Sequence, residues 1–154
     1  FGPFNSALII ETLTDNKNRS ASSLRTILNK NNGRLGETGS TKHLFTNCGV
    51  IHVNNKKVKE DEIFELAINS GAKDCSSQEN YYEIISEKED FYKVKSELEK
   101  KLNKLEYSGI EWRPLSRISL DKEQSKKIYE LLLALEELDD VQDVYINIDL
   151  KKIW

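Results

Sequence analysis

The order in which two hydrophobic periodicities alternate constrains this chain more than any other feature. Four segments carry apolar residues at helical spacing. The strongest runs through Ile128, Leu131, Leu132, Leu135 and Leu138. Each such side chain, fully buried, contributes roughly 1.5–3 kcal/mol, so this stripe demands a surface to pack on. The other three stripes are Leu24, Ile27 and Leu28 led by Ala21; Ile63, Phe64, Ala67 and Ile68; and Phe91, Val94, Leu98 and Leu102. Short β-prone runs separate them. The order is β-α-β, then β-α-β-β-α-β, then β-α-β. The middle block is a complete ferredoxin-like unit if Ala72 to Ser76 is a strand, and the outer halves can pair into a second one. The expected fold is therefore α+β, with two ferredoxin-like lobes, one inserted into the other. Residues 1–47 plus 113–154 form the discontinuous domain and 48–112 the inserted α+β domain. A single larger sheet through all the strands is the rival arrangement.

Local signals place the boundaries. Ser6 to Leu13 reads as a strand that ends at the turn residues Thr14-Asp15-Asn16. Ser20 is the expected N-cap of a helix reaching about Asn31, closed by Asn32-Gly33. His43-Leu44-Phe45 begins a strand, Asn47-Cys48-Gly49 is expected to turn it, and Val50 to Val53 is a second strand. Glu60 to Ser70 is a helix stopped by Gly71. Gln78-Glu79-Asn80 turns the weak strand into Tyr81 to Ile85. Ser86-Glu87-Lys88-Glu89 has the form of a capping box, and so does Asp121 with Gln124. Leu105 to Trp112 is strand-like, and Pro114 marks a boundary because it cannot donate to a ladder. Leu115 to Leu120 and Val144 to Ile148 alternate as strands.

Charge points to one face. The chain of 154 residues carries a formal net charge of −3, with 32% charged residues. Between Asp15 and His43, however, Lys17, Arg19, Arg25, Lys30, Arg34 and Lys42 stand against only Asp15 and Glu37. Two polar loops, Thr14 to Ser20 and Asn32 to Ser40, bracket one short helix. A locally basic, loop-rich face on an acidic protein is the electrostatic pattern of a nucleic-acid or ribosome contact. A solvated helix between two ordinary turns is the plainer alternative. Gly33, Gly36 and Gly39 are neither a dinucleotide fingerprint nor a phosphate-binding Walker loop. They either let backbone N–H groups approach a phosphate beside Arg34 or permit positive φ in a tight loop. Gly33-Arg34-Leu35-Gly36 has the GXXG form of KH domains, but a KH loop joins two helices and this one leads to a strand.

No catalytic set is legible. Cys48 and His52 lie four residues apart on a turn and a strand, about 13 Å in extended chain, too far for two ligands of one metal. No serine sits in a nucleophile elbow, and no metal, cofactor or small-molecule substrate is expected. Cys48 and Cys75 have no redox or zinc spacing. The acid pairs Glu136-Glu137 and Asp139-Asp140 sit at a helix end, where the dipole disfavours them. This suggests pairing with a basic neighbour in the helix-to-strand corner. Tyr81, Tyr82, Phe91, Tyr92, Tyr107 and Trp112 cluster in the inserted lobe without the aromatic signature of RNA-recognition modules, so most are expected in the core or in contacts between lobes. No apolar run approaches the 18 or so residues of a membrane span, and no signal peptide opens the chain.

Three groups of residues carry a family resemblance. They are Leu13-Thr14-Asp15-Asn16-Lys17-Asn18-Arg19; Gly33-Arg34-Leu35-Gly36-Glu37-Thr38-Gly39-Ser40 with Phe45; and Asp139-Asp140-Val141-Gln142-Asp143-Val144-Tyr145 with Asn147. In this order they resemble the YebC/PmpR family, which includes the mitochondrial translational activator of cytochrome c oxidase. The resemblance covers nearly the whole chain. Gly2-Pro3-Phe4-Asn5 stands where bacterial members usually carry Gly-Pro-Gly-Gly. The family's basic N-terminal helical domain is not in this sequence, which opens in the middle of a motif and reads as a fragment.

The resemblance implies a non-enzymatic translation factor that associates with the ribosome or RNA and activates translation or relieves stalling. The alternative is a DNA-binding transcriptional regulator of the same family, and a protein-interaction scaffold ranks third. Lys17, Arg19, Arg34 and Lys42 are the expected phosphate contacts. Asn16 and Asn18 are candidates for base edges or ribose, and Arg25 and Lys30 join the two loops along the helix. Against DNA, no helix is strongly basic on one face, as major-groove insertion requires. The start of the chain resembles mitochondrial members more than bacterial ones, so the expected location is the mitochondrial matrix, with the bacterial cytoplasm as alternative.

Overall fold

The computed structural model describes residues 1–37 and 39–149. The elements run β1 (Leu8–Thr12), α1 (Lys17–Lys30), β2 (Phe45–Asn54), α2 (Glu60–Ser70), β3 (Asp74–Ser77), β4 (Tyr81–Glu87), α3 (Phe91–Leu102), β5 (Tyr107–Pro114), α4 (Lys122–Glu136) and β6 (Val141–Ile146). The fold is α+β with two sheets. The chain divides into two compact units. One is Phe1–Thr46 with the chain from Arg113 onward, and the other is Asn47–Trp112.

The second unit carries a four-stranded sheet in the order β3-β4-β2-β5, the strand order of a ferredoxin-like β-α-β-β-α-β unit. β4 is antiparallel to both neighbours, from Cys48↔Glu87 to Asn54↔Tyr81 on β2 and from Asp74↔Ile85 to Ser77↔Tyr82 on β3. Beside β2 on its other edge, the Glu106 N–H donates to the His52 carbonyl as the chain enters β5. Alternation along the strands turns Ile51 and Val53 of β2 and Tyr82 and Ile84 of β4 to one core. There they meet Ile63 and Ala67 of α2 and Val94 and Leu98 of α3. Gly71 ends α2 in the left-handed conformation, at φ 100°, which only glycine adopts at little cost.

Two expectations for this unit fail. Asn47-Cys48-Gly49 does not turn, and β2 runs unbroken through it. The ladder to β4 continues through Cys48↔Glu87 and Gly49↔Ser86, so pairing overrides the local turn signal. Gly49 serves another purpose, because a Cβ there would collide with the Ser86 hydroxyl and the Phe91 ring. The capping box at Ser86 does not form either. Ser86 is held in β4, its buried hydroxyl has no partner among the described residues, and α3 starts at Phe91 after a 3-10 turn at Lys88–Asp90. Strand pairing claims the residue that the motif would have used as a cap.

The first unit is built on the antiparallel pair β1–β6, in register from Leu8↔Ile146 to Glu11↔Asp143, with a shift before Thr12↔Val141. Leu8, Leu24 and Leu28 pack with Leu131 and Leu135 of α4, and Leu132 and Leu138 pack at the periphery. A smaller core joins Leu120, Ile128 and Ile148. The expected capping box opens α4, with the Asp121 carboxylate accepting from the Gln124 N–H and the Gln124 side chain accepting from the Asp121 N–H. Leu115 to Leu120 does not form a strand. Its backbone is shared between two neighbours, with Leu115 donating to Leu44 and Ile118 to Asn147, and only the bridge Ile118↔Ile148 results. The last strand stops at Ile146, with Ile148 kept as that bridge. This lobe therefore has a two-stranded sheet where a four-stranded one was expected. Among the described residues no helix is long and apolar enough to cross a membrane.

Candidate nucleic-acid interface

Helix α1 begins earlier than the sequence suggested. The Thr14 hydroxyl accepts the Asn16 N–H at 3.0 Å, and the Asn16 side chain accepts the Arg19 N–H at 3.0 Å. This makes Asn16 the N-cap, and such a cap is worth about 1 kcal/mol. Ser20 lies inside the first turns and is buried. The fourteen residues of α1 include no carboxylate. Leu24 and Leu28 face the core, while Asn18, Ser22, Arg25 and Asn29 are exposed. Their spacing of four, three and four residues places them in one strip along the helix. Lys17 and Lys30 are exposed at its two ends. The helix is about 21 Å long at 1.5 Å per residue.

Arg19 is committed elsewhere. Its guanidinium straddles the Asp140 carboxylate, with Nε at 3.2 Å from Oδ2 and NH2 at 3.0 Å from Oδ1, and NH2 also reaches Asp15 at 3.2 Å. The Ser20 hydroxyl donates to Asp140 Oδ2 at 2.7 Å. The Asp140 carbonyl accepts the Leu13 N–H at 2.9 Å. Residues from the first and third motif groups, 121 positions apart, thus form one clasp that ties the start of α1 to the entry of β6. The hydrogen bond from Arg19, then that from Ser20, holds the Asp140 carboxyl below the usual carboxylate range, and Asp140 in turn raises the Arg19 pKa. Asp140, one member of the acid pair past the end of α4, has found the basic partner that the helix dipole called for. Which cation it would be was not legible. Beside the clasp lies a cleft of about 380 Å³ with Leu24, Leu138 and Val141 among its lining.

The remaining candidates fall in two places. Arg34 is exposed, its guanidinium 5.9 Å from the centre of the Phe1 ring. Lys42 is exposed and engaged in an interaction of its own. Both lie beyond the C-terminal end of α1, so the candidates do not form one compact patch. Of Gly33, Gly36 and Gly39, only Gly39 has positive φ, at 81°. Gly33 is required by close approach, since a Cβ would sit 2.8 Å from the Phe1 carbonyl oxygen. Thr38 of this loop lies outside the described residues.

Of the six aromatic residues grouped in the inserted unit, only two are core residues, while Tyr92 and Tyr107 are exposed. Tyr82 and Phe91 are buried in its core. His52 stacks on Tyr81 with ring centres 4.2 Å apart, and its Nε2 lies 3.1 Å from Glu83 Oε2. Burial pushes the Cys75 thiol up to about 11, so it is protonated and a poor nucleophile at neutral pH. No cluster of three or more metal-ligating side chains occurs among the described residues.

Comparison with known proteins decides the family. The family model described as "TACO1/YebC second and third domain" matches residues 1–148. The chain belongs to the YebC family. A probable transcriptional regulatory protein of Pelagibacter ubique is 44% identical over 151 residues, which is 98% of this chain and 63% of that protein. One of the same description from Zymomonas mobilis is 42% identical over 150 residues, covering 97% of this chain and 60% of that one. The crystal structure of a conserved hypothetical protein from Aquifex aeolicus superposes with a TM-score of 0.83 at 39% identity, over 97% of this chain and 62% of that one. The chain thus spans about three-fifths of the length of these YebC-family relatives.

Proposed function

We propose that this chain is part of a non-enzymatic, nucleic-acid-binding regulator of gene expression, and that DNA is its target in the manner of a transcriptional regulator. One observation carries the reading: α1 exposes an acid-free strip of Asn18, Ser22, Arg25 and Asn29 between Lys17 and Lys30. Arginine and asparagine are the side chains that read guanine and adenine edges in a major groove, while terminal cations take phosphates. The relatives' designation as probable transcriptional regulatory proteins supports the same target. Their bacterial origin favours a bacterial cytoplasm over the mitochondrial matrix.

Ribosome or RNA binding in support of translation is the second reading. The commitment of Arg19 to Asp140 favours it, because it leaves a helix too sparsely charged to hold a duplex strongly by itself. A site that supplies further contacts then becomes important. Anisotropy titrations of the chain against duplex DNA, single-stranded RNA and purified ribosomes at one salt concentration separate the two. The DNA reading expects duplex binding that weakens when Asn18 and Asn29 are changed to Ala. Ribosome binding with no measurable duplex binding selects the second reading, and binding to none of the three rejects both.

A further inference from the structure

The geometry points to a second binding surface: the cleft beside α1 accepts a lysine or arginine side chain from a basic polypeptide partner. The cleft, of about 380 Å³, is within the range of pockets that hold small groups. Leu24, Leu138 and Val141 are the apolar part of its lining, and Ser23 lines it from α1. Lysine and arginine bury aliphatic stems on such apolar surface while the charged head seeks a carboxylate. Asp139 supplies one. It lines the cleft and has no hydrogen-bonding or ionic partner among the described residues, whereas its neighbour Asp140 is taken by Arg19 and Ser20.

Charge decides between a cationic and an anionic occupant. Two carboxylates, Asp139 and Asp140, line the cleft against one guanidinium, Arg19. Asp139 also sits just past the C-terminal end of α4, where the helix dipole disfavours an anion and favours its neutralisation. The excess of one negative charge in the lining favours a cation over a phosphate. The cleft and the outer strip of α1 therefore select opposite charges, and the two partners need not compete.

Backbone amide spectra of the full chain, recorded during titration with capped Gly-Arg-Gly, Gly-Lys-Gly and Gly-citrulline-Gly peptides, test this. Citrulline keeps the shape of arginine without its charge. The expected result is saturable shifts of Ser20, Ser23, Leu24 and Val141 with the arginine and lysine peptides, and none with citrulline. Asp139 is exposed, so Asp139→Asn should weaken binding about twofold to fivefold, as expected for losing an exposed ion pair, while Asp139→Glu retains it. Equal shifts with citrulline would overturn the inference. So would unchanged affinity in a folded Asp139→Asn variant, or absence of saturable shifts at about 10 mM peptide, the range in which single side-chain contacts bind.

Discussion

Asp140 joins two loops that are far apart in sequence, and its chemistry makes the joint sensitive to acid. Its folded pKa lies below the unfolded value of about 3.9, chiefly through the hydrogen bond from Arg19. A carboxylate depressed in this way contributes stability that is full above about pH 4 and is lost as pH falls through the folded pKa. Asp140→Asn should therefore lower the melting temperature at pH 7 and flatten its fall on acidification below about pH 4. Circular-dichroism melts across pH check this, and an unchanged acid limb would show that the clasp adds nothing. The need for a partner was legible in the sequence, because an acid pair at a helix C-terminus opposes the dipole. The identity of that partner was not. It depends on the β1–β6 register, which brings residue 140 beside residue 13, and no local pattern encodes that pairing.

Helices were easier to read from the sequence than strands, for a physical reason. A stripe such as Ile128, Leu131 and Leu135, all fully buried, states its own face over about two turns. A strand is defined by its neighbour. The neighbour carried β2 straight through Asn47-Cys48-Gly49 and kept Ser86 out of its cap. Gly49→Ala makes the point measurable: the added methyl meets Phe91 at 2.5 Å, and such overpacking costs about 1–3 kcal/mol in denaturant unfolding. A cost near zero would mean that the sheet yields locally. The start of α1 was missed by one turn, because Ser20 is a good cap by type while the Thr14–Asn16 turn provides a better-placed one. Asn16→Ala should cost about 1 kcal/mol in the same assay, and Ser20→Ala should act through Asp140 instead, altering the acid limb.

Across the whole molecule, the β-α-β-β-α-β order of the middle block was legible and its strand order follows the ferredoxin-like pattern. The outer lobe was less legible, because alternation in Leu115 to Leu120 does not reveal that its backbone is divided between two neighbours. Residues 47–112 have their own core, so this piece expressed alone is expected to give a dispersed amide spectrum. A collapsed spectrum would show that it depends on the rest of the chain. The candidate interface was legible as a basic stretch, but not in which cations are available, since the commitment of Arg19 to Asp140 and Asp15 is a tertiary fact. The central claim is that the outer side of α1 contacts nucleic acid through Lys17, Arg25 and Lys30. The most direct measurement is the salt dependence of nucleic-acid binding for the parent chain and for a variant with these three residues changed to Gln. The account predicts weaker binding by the variant. It also predicts a slope of log affinity against log salt that flattens by about 0.9 per lost contact on duplex DNA, or about 0.7 on a single strand. Equal affinity and equal slope in a normally folded variant would contradict it.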